Sequence, residues 1–157
     1  MRLRVMAVGT RMPEWVDSAF TDYWRRMRAL WKLELIELPT ASRRESGGAA
    51  PAAKSAEARR ILAMLTPRDF IVALDEHGMQ KSTVELALWL EQRRASGKDL
   101  AFIIGGPDGL AEEVLARAHL RWSLSRLTLP HGLVRVLLAE QIYRATTVLS
   151  GHPYHRE

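Results

Sequence analysis

Apolar residues in this sequence form two kinds of pattern that alternate along the chain. Short apolar-rich runs, typical of strands in a covered sheet, occur at residues 2–8, 32–38, 69–75 and 100–104. Stretches typical of helices, clearest where apolar residues recur at spacings of three and four, occur at residues 13–27, 55–65, 82–96, 110–118 and 130–151. Residues 122–129 fit either a strand or an ordered loop. This alternation predicts an α/β fold with a parallel or mixed sheet between helices.

Two of the predicted helices carry specific signals at their ends. Pro13 suits the first turn of a helix, and one face of that helix is predicted to hold seven apolar residues, namely Trp15, Val16, Ala19, Phe20, Tyr23, Trp24 and Met27. Ser82 and Glu85 match the S-x-x-E capping box. Gly97 is well placed to end the helix that this box begins.

Residues 40–54 are rich in Ala, Ser, Gly and Pro, and they include Arg43 and Arg44. This composition is typical of a mobile loop, and such a loop is longer than most connections in compact domains. The sequence has no other candidate linker and no internal repeat. We therefore expect the 157 residues to form one domain, 1–157.

The sequence contains no cysteine. This excludes disulfides, zinc–thiolate sites and a cysteine nucleophile, and it suits a reducing compartment. The chain begins with a strand pattern rather than with the apolar region of a signal peptide, and no stretch approaches the ~20 apolar residues that span a bilayer. We expect a soluble, cytoplasmic protein.

Positive charge is concentrated at the two ends of the chain. The net charge is +5, with seven Lys or Arg against three Asp or Glu in residues 1–32 and six against two in residues 117–157. If the fold brings the ends together, they form a positive face suited to a polyanion such as RNA. Scattered solubilising arginines are the alternative explanation, and the same choice applies to Arg25, Arg26 and Arg28 on the first helix.

The candidate chemistry lies just after the apolar runs, because ligands of open α/β sheets bind beyond the carboxyl ends of the strands. Leu74, Gly105 and residues 124–129 occupy such positions. Glycine lets a ligand approach the main chain, so the loop that contains Gly105, Gly106 and Gly109 is a candidate binding site. A plain tight turn explains the same glycines equally simply.

Common nucleotide-binding, hydrolase and metal motifs are missing from the sequence. The segment "GGPDG" lacks the G-x-x-x-x-G-K-[ST] pattern, no G-x-G-x-x-G opens a helix, and no G-x-S-x-G elbow occurs. His152 and His155 are spaced as H-x-x-H, but they lack the helical HExxH context, which disfavours a metal site. The tail "HPYHRE" is a candidate active-site or RNA-contacting element, with simple disorder as the alternative.

Several segments, taken in order, resemble the ribosomal large-subunit RNA pseudouridine N3-methyltransferases of the SPOUT superfamily. These segments are "AVGTRMPEWV" (7–16), "ELIELP" (34–39), "IIGGPDGL" (103–110), "WSLSRLTLPHGLVRVLLAEQIYRA" (122–145) and "HPYHRE" (152–157). The similarity spans nearly the whole chain. Residues 42–58 depart from the family pattern, because they are Ala-rich where relatives often carry a charged stretch, so the resemblance implies no RNA contact there.

The resemblance implies a C-terminal trefoil knot, which is an exception to the rule that chains avoid knots. It also implies a homodimer, S-adenosylmethionine as methyl donor, and methylation of N3 of pseudouridine 1915 in 23S ribosomal RNA, either free or in the ribosome. No metal is needed. On the family pattern the cofactor-binding residues are Leu74, Gly105, Leu124, Ser125, Arg126, Leu127, Thr128 and Leu129.

The implied reaction suggests three catalytic candidates. Pseudouridine N3 carries an imide proton, so catalysis must remove that proton or stabilise the anion. His155 is the candidate base, since imidazole titrates near ~6.5, Arg135 is the candidate partner of the uracil anion, and Tyr154 is the candidate to stack on the base. For Arg135, a charge that caps a dimer interface is an equally good interpretation.

Two other functions fit the same sequence features. One is a non-catalytic, RNA-binding ribosome assembly factor of the same fold, whose basic surfaces would look identical. The other is a SPOUT enzyme with another RNA target, such as a ribose 2′-OH or a guanine N1.

Overall fold

A parallel sheet forms the centre of the protein in the computed structural model, which describes residues 1–42 and 50–156. In this described part the sheet has five strands: β1 (Arg2–Val8), β2 (Lys32–Leu38), β3 (Asp69–Gln80), β4 (Asp99–Ile104) and β5 (Leu120–Ser123). Their spatial order is β2-β1-β4-β3-β5, and every pairing is parallel. The predicted α/β fold is confirmed, and the sheet is parallel rather than mixed.

Helices cover both faces of the sheet. They are α1 (Glu14–Arg26), α2 (Ala50–Met64), α3 (Thr83–Ala95), α4 (Glu112–Arg117) and α5 (His131–Ser150), followed by a single 3₁₀ turn, Pro153–His155. Buried side chains of α1, α3 and α5 share one apolar cluster, and those of α2 and α4 share another. Helices α1 and α3 connect their strands towards the β2 edge of the sheet, whereas α2 and α4 connect theirs towards the β5 edge. Because parallel strands are joined by crossovers of one handedness, the two pairs of helices lie on opposite faces.

The predicted capping box is confirmed, whereas Pro13 is the residue before α1 rather than part of its first turn, and one apolar position differs. The side chain of Ser82 accepts from the Glu85 N–H at 3.2 Å, and the Glu85 carboxylate accepts from the Ser82 N–H at 2.7 Å, which completes the capping box. Trp15 was expected on the buried face of α1 but is 58% exposed. The buried residues of α1 are Val16, Phe20 and Trp24, and the residue before Val16 lies about 100° around the helix from this stripe.

Element boundaries differ from the prediction in two regions. Helix α2 begins at Ala50 rather than at residue 55, so residues 50–54 of the predicted loop are helical. Alanine is the strongest helix former and proline is tolerated in a first turn, so the composition that suggested a loop also suits a helix start. The rest of that loop, residues 43–49, lies outside the described residues.

The second region is at the edge of the sheet. Strand β3 continues to Gln80 rather than ending at residue 75, because after an irregularity its residues Met79 and Gln80 pair again with β5. Strand β5 ends at Ser123, so most of the predicted segment 122–129 is an ordered loop. Helix α4 is also shorter at both ends than the predicted 110–118. In the described chain, no helix is both long and apolar enough to cross a membrane.

Ion pairs tie together the amino-terminal edge of the sheet. The Arg4 guanidinium on β1 is buried, with Nη1 2.7 Å from Asp69 Oδ2 on β3 and Nε 3.0 Å from Glu34 Oε2 on β2. Arg2 pairs with Asp99 on β4, with its Nε 3.0 Å from Oδ2. Burial tends to raise the pKa of Asp99, but hydrogen bonds from the Arg2 main chain and side chain outweigh burial and hold the pKa below its ordinary value.

Replacing Arg4 with Met should destabilise the fold strongly. The substitution leaves the Asp69 carboxylate buried without its cation, and breaking a buried pair in this way typically costs roughly 3–5 kcal/mol of unfolding free energy. Urea denaturation followed by circular dichroism measures the change. Arg28→Met, at an exposed position of the same charge, serves as the control and should change stability by less than about 0.5 kcal/mol. A loss below about 1 kcal/mol for Arg4→Met would contradict the assignment.

Candidate functional site

A cleft of about 390 Å³ lies at the carboxyl ends of β3, β4 and β5. Leu74 on β3, the loop that follows β4 and the segment that follows β5 line it, together with His131 and Val134 from the first turns of α5. The volume falls in the range of about 300–1,000 Å³ that is usual for sites of small ligands and cofactors. The three strand ends selected from the sequence therefore meet in one cleft.

The glycine loop after β4 has little room for side chains. A Cβ added at Gly105 would lie 2.7 Å from the Gly109 carbonyl carbon, and one at Gly106 would lie 3.1 Å from Cγ1 of Val8. The Gly109 N–H donates to the Gly106 carbonyl at 3.0 Å, and Gly109 has a φ of 78°, in the left-handed region. The packing and the backbone conformation of the turn thus explain these glycines even if no ligand binds. The same glycines leave main-chain atoms as the wall of the cleft.

Side-chain hydrogen bonds fix the segment after β5, although it has no regular secondary structure. The Ser123 hydroxyl donates to the Ser125 carbonyl at 2.7 Å, and the Leu127 N–H donates to the Ser125 hydroxyl at 3.0 Å. The Thr128 hydroxyl donates to Glu76 Oε2 at 2.8 Å, which joins the segment to β3. The resulting wall of the cleft is ordered by its own residues.

Seven of the eight residues that the resemblance assigns to the cofactor line this cleft: Leu74, Gly105, Leu124, Ser125, Leu127, Thr128 and Leu129. Arg126 does not line it. That residue is exposed and lies in a neighbouring shallow groove with His77, Gly78 and Gln80.

The cleft also contains residues that the motif analysis did not select: Lys54, Glu76, His77, Asp108 and His131. Lys54 falls at the end of the predicted loop 40–54, and no role is predicted for His131 from the sequence. The position of His131 directly after Pro130, which opens a helix beside the candidate cofactor segment, was a usable signal. The position of Lys54 was not predictable from local sequence, because tertiary packing of α2 against the sheet brings the residue to the cleft.

Burial lowers the pKa of His131 below its ordinary value, and the positive charge of Arg135 lowers it further. Both influences penalise the imidazolium, so the ring is neutral at physiological pH. Its nitrogens make no hydrogen bond with other described residues. A neutral imidazole with a donor and an acceptor available therefore borders the cleft.

The Arg135 guanidinium points away from the cleft and is buried, with 2% exposure. Its Nη1 lies 2.7 Å from Glu37 Oε2, and its Nη2 donates to the Gly9 carbonyl at 2.6 Å. Its Nε has no hydrogen-bond partner within the described residues. The contacts link α5 to the carboxyl ends of β1 and β2, so in this chain Arg135 is held by protein groups.

The C-terminal tail packs on the distal half of α5 instead of near the cleft. The Tyr154 ring lies 4.7 Å from the Tyr143 ring between centroids, its hydroxyl donates to Glu140 Oε1 at 3.1 Å, and the Arg144 guanidinium lies 4.9 Å from its centroid. Burial, followed by the hydrogen bond with Tyr23, raises the pKa of Tyr154. The phenol is therefore protonated at neutral pH.

The tail and the cleft are separated along α5. The cleft ends at Val134, and Tyr154 of the tail contacts Glu140, Tyr143 and Arg144. These contacts lie about 9–15 Å further along the helix. His155 is half-buried, and its Nδ1 has no hydrogen-bond partner among residues 1–42 and 50–156. The structure thus does not bring Tyr154 and His155 together with the candidate cofactor residues of the same chain.

The basic surface is smaller than the charge count suggests. Arg2 and Arg4 are paired at the amino-terminal edge of the sheet, and Arg135 is buried. Arg25 on α1 and Arg28 just after it are exposed, but Arg26 is paired with Asp22 on the same helix. The exposed cations of the N-terminal part are therefore interspersed with acids.

No group of three or more metal-ligating side chains occurs in the part of the chain that the structure describes.

The fold and the cleft at the strand ends agree with a comparison against known families. The sequence pattern of the family described as "Predicted SPOUT methyltransferase" matches residues 1–155. The chain belongs to the SPOUT methyltransferase family.

Curated relatives match over the full length. The chain is 49% identical to "Ribosomal RNA large subunit methyltransferase H" of Hahella chejuensis and 47% identical to the protein of the same name from Methylobacillus flagellatus, with 100% of each chain covered in both cases. These relatives confirm the family indicated by the sequence motifs.

A solved structure supports the fold alone. It is described as a "probable methylase family protein" from Haemophilus influenzae Rd KW20, and it matches with a TM-score of 0.56 and 13% identity over 99% of this chain and 70% of that one.

The His131 imidazole should titrate below about 6.5 in the folded protein, because burial and Arg135 disfavour its charged form. The unfolded chain then binds a proton at higher pH than the folded chain. The stability that His131 contributes is therefore complete above about 6.5 and is lost as the pH falls from there through the folded pKa. Proton NMR of the imidazole resonances measures the value, with His131→Gln identifying the signal. A folded pKa at or above 6.5 would refute this description of the cleft.

Proposed function

We propose that this protein transfers a methyl group from S-adenosylmethionine to N3 of pseudouridine 1915 in 23S ribosomal RNA. The observation that carries the proposal is the single cleft lined by seven of the eight residues assigned to the cofactor. The full-length relatives named ribosomal RNA large subunit methyltransferase H support a large-subunit RNA substrate, free or in the assembled ribosome.

The residues of the cleft fit the methyl donor. Apolar side chains, among them Leu74, Ile104 and Leu124, suit the adenine ring, and the turn at Gly105 offers main chain rather than side chains at the wall. The site is of cofactor size. S-adenosylmethionine would supply a methyl group activated by a sulfonium, and no metal is required for that chemistry.

The task of the chain is to align the RNA base and to accept its proton. Pseudouridine N3 must lose its imide proton as the nitrogen takes the methyl group, and alignment of the two reactants alone can contribute ~7 to 11 kcal/mol when it is very good. His155 is the proposed base, since histidine is the side chain that enzymes use most often as a general base. Tyr154, whose raised pKa keeps it neutral, is proposed to stack on the base.

Arg135 has a different role in this proposal. Its Nη groups bind Glu37 and the Gly9 carbonyl, so it acts as a positioning residue that holds α5 against the strand ends. Stabilisation of the uracil anion would be limited to its unpartnered Nε.

A homodimer is part of the proposal. Leu133, Val136 and Leu137 on the outer surface of α5 are half-buried and do not belong to the apolar clusters of the described chain. Burying such residues against a second copy is favourable. Because the tail of one chain contacts α5 about 9–15 Å along the helix from its own cleft, a two-fold dimer would let each tail complete the neighbouring site.

The remaining expectations follow from family membership. Residues 1–157 act as one SPOUT methyltransferase domain, and the C-terminal part threads a trefoil knot. Ribosomal RNA as substrate places the protein in the cytoplasm.

Two alternatives remain distinguishable from this proposal. A non-catalytic assembly factor would bind ribosomal RNA without binding S-adenosylmethionine. A SPOUT enzyme with another RNA target would bind the methyl donor but modify a different nucleotide.

The decisive experiment combines the purified protein, S-adenosylmethionine labelled in the methyl group, and ribosomes from a strain lacking the corresponding gene. We expect label in 23S RNA, and mass spectrometry of nuclease fragments should place one added methyl group on pseudouridine 1915. Label at another nucleotide would support the second alternative. Absence of both donor binding and label would support the assembly factor.

Deleting residues 152–157 should abolish methyl transfer, because it removes His155 and Tyr154, while binding of S-adenosylmethionine persists. Calorimetry measures donor binding, and the labelled-methyl assay measures transfer. Arg156→Ala is the matched control, since Arg156 is exposed and is assigned no catalytic role, and it should retain most activity. Transfer at an unchanged rate after the deletion would exclude a catalytic tail.

A further inference from the structure

Lys54 is a cleft residue with no hydrogen-bond or ion-pair partner among residues 1–42 and 50–156. It lies in the second turn of α2, is half-buried, and lines the cleft. Its ammonium group makes no hydrogen bond or ion pair with any of the described residues. A lysine in a cleft with no protein partner has all three of its N–H donors available to a ligand.

The position of Lys54 is set by its neighbour Glu57. The Glu57 carboxylate is buried and accepts from the Ala41 N–H at 3.0 Å, while Oε2 would lie 3.5 Å from a Cβ added at Gly106. This carboxylate therefore holds α2 against Ala41, in the segment that follows β2, and lies close to Gly106. Residues three apart share one face of a helix, and Lys54 on that face lines the cleft together with the glycine loop.

Charge is unevenly distributed in the cleft. Acidic side chains at the lining come from Asp75, Glu76 and Asp108, whereas Lys54 is the only lysine or arginine among the described residues of the lining. A ligand carboxylate placed here needs a cation to offset repulsion from these acids. Within this lining, Lys54 supplies the only permanent positive charge.

We propose that Lys54 binds the carboxylate of the amino-acid portion of the methyl donor. This inference rests on the proposed function, which supplies a ligand with an apolar ring system at one end and a charged amino acid at the other. The apolar strand ends take the ring system, and the Lys54 ammonium on α2 takes the carboxylate in a charge-assisted hydrogen bond. Lys54 is thus a cofactor-binding residue from a part of the chain outside the three strand ends.

Two nucleosides that differ in the amino-acid portion test this assignment. S-adenosylhomocysteine carries the carboxylate, and 5′-methylthioadenosine lacks the whole amino-acid portion. For Lys54→Met we expect the dissociation constant of S-adenosylhomocysteine to rise roughly tenfold, the equivalent of one charge-assisted hydrogen bond. The affinity for 5′-methylthioadenosine should stay within about twofold. Isothermal titration calorimetry on the full chain without RNA measures both.

Two further variants control the measurement. Arg59→Met removes a positive charge from an exposed position of the same helix and should leave both affinities unchanged. Lys54→Arg keeps the charge and should bind S-adenosylhomocysteine within about threefold of the unaltered chain. Equal thermal midpoints of all variants would show that they are folded.

Three outcomes would overturn the inference. If Lys54→Met binds S-adenosylhomocysteine with unchanged affinity, Lys54 does not bind the carboxylate and is available to another ligand, such as an RNA phosphate. If the affinity for both nucleosides falls equally, Lys54 maintains the shape of the cleft rather than binding the carboxylate. If the unaltered chain bound neither nucleoside, the proposed function itself would fail, and this result differs from the other two.

Discussion

Burial of β1 and β4 on both faces determines where polar chemistry can occur in this protein. All six residues of β4 are buried, and Phe102 and Ile103 point into separate apolar clusters on opposite faces of the sheet. A charged or polar group within these strands would lack a partner, so such groups collect at the strand ends. At the amino-terminal edge, Arg4 and Asp69 stabilise the fold. At the carboxyl edge, main chain and loops enclose the cleft.

The carboxyl edge itself needs a second fixed point, which Arg135 provides. Its guanidinium joins α5 to the Gly9 carbonyl on β1 and to Glu37 on β2. Burying a charge is costly, and hydrogen bonds to a carboxylate and a carbonyl offset that cost. His131 lies one turn before Arg135, and Val134 is its neighbour in the sequence. The contacts of Arg135 therefore also position these two residues, which line the cleft from α5. A buried ion pair thereby positions a surface site without touching a ligand.

What the sequence predicted correctly was encoded locally. Apolar runs define the strands, and Ser82 with Glu85 defines the start of α3 through contacts within three residues. Errors arose where distant packing decides. The alanines of residues 50–54 suit a loop or a helix, and packing of α2 against the apolar side chains of β4 and α4 favours the helix. Spacing showed that Arg135 lies on α5, but only the fold shows that its guanidinium turns towards β1 and β2. Lys54 reaches the cleft for the same non-local reason.

The two ends of α5 carry different parts of the proposed reaction, and this has a consequence for assembly. The first turns hold the cofactor wall, whereas Glu140, Tyr143 and Arg144 hold Tyr154 of the tail. A straight helix cannot bring its own ends together. Residues from both ends can meet only if the tail leaves its contacts or if a second helix runs alongside in the opposite direction. The second arrangement also covers the apolar outer surface of α5. One symmetric interface would therefore bury that surface and bring the tail of one chain to the cleft of the other.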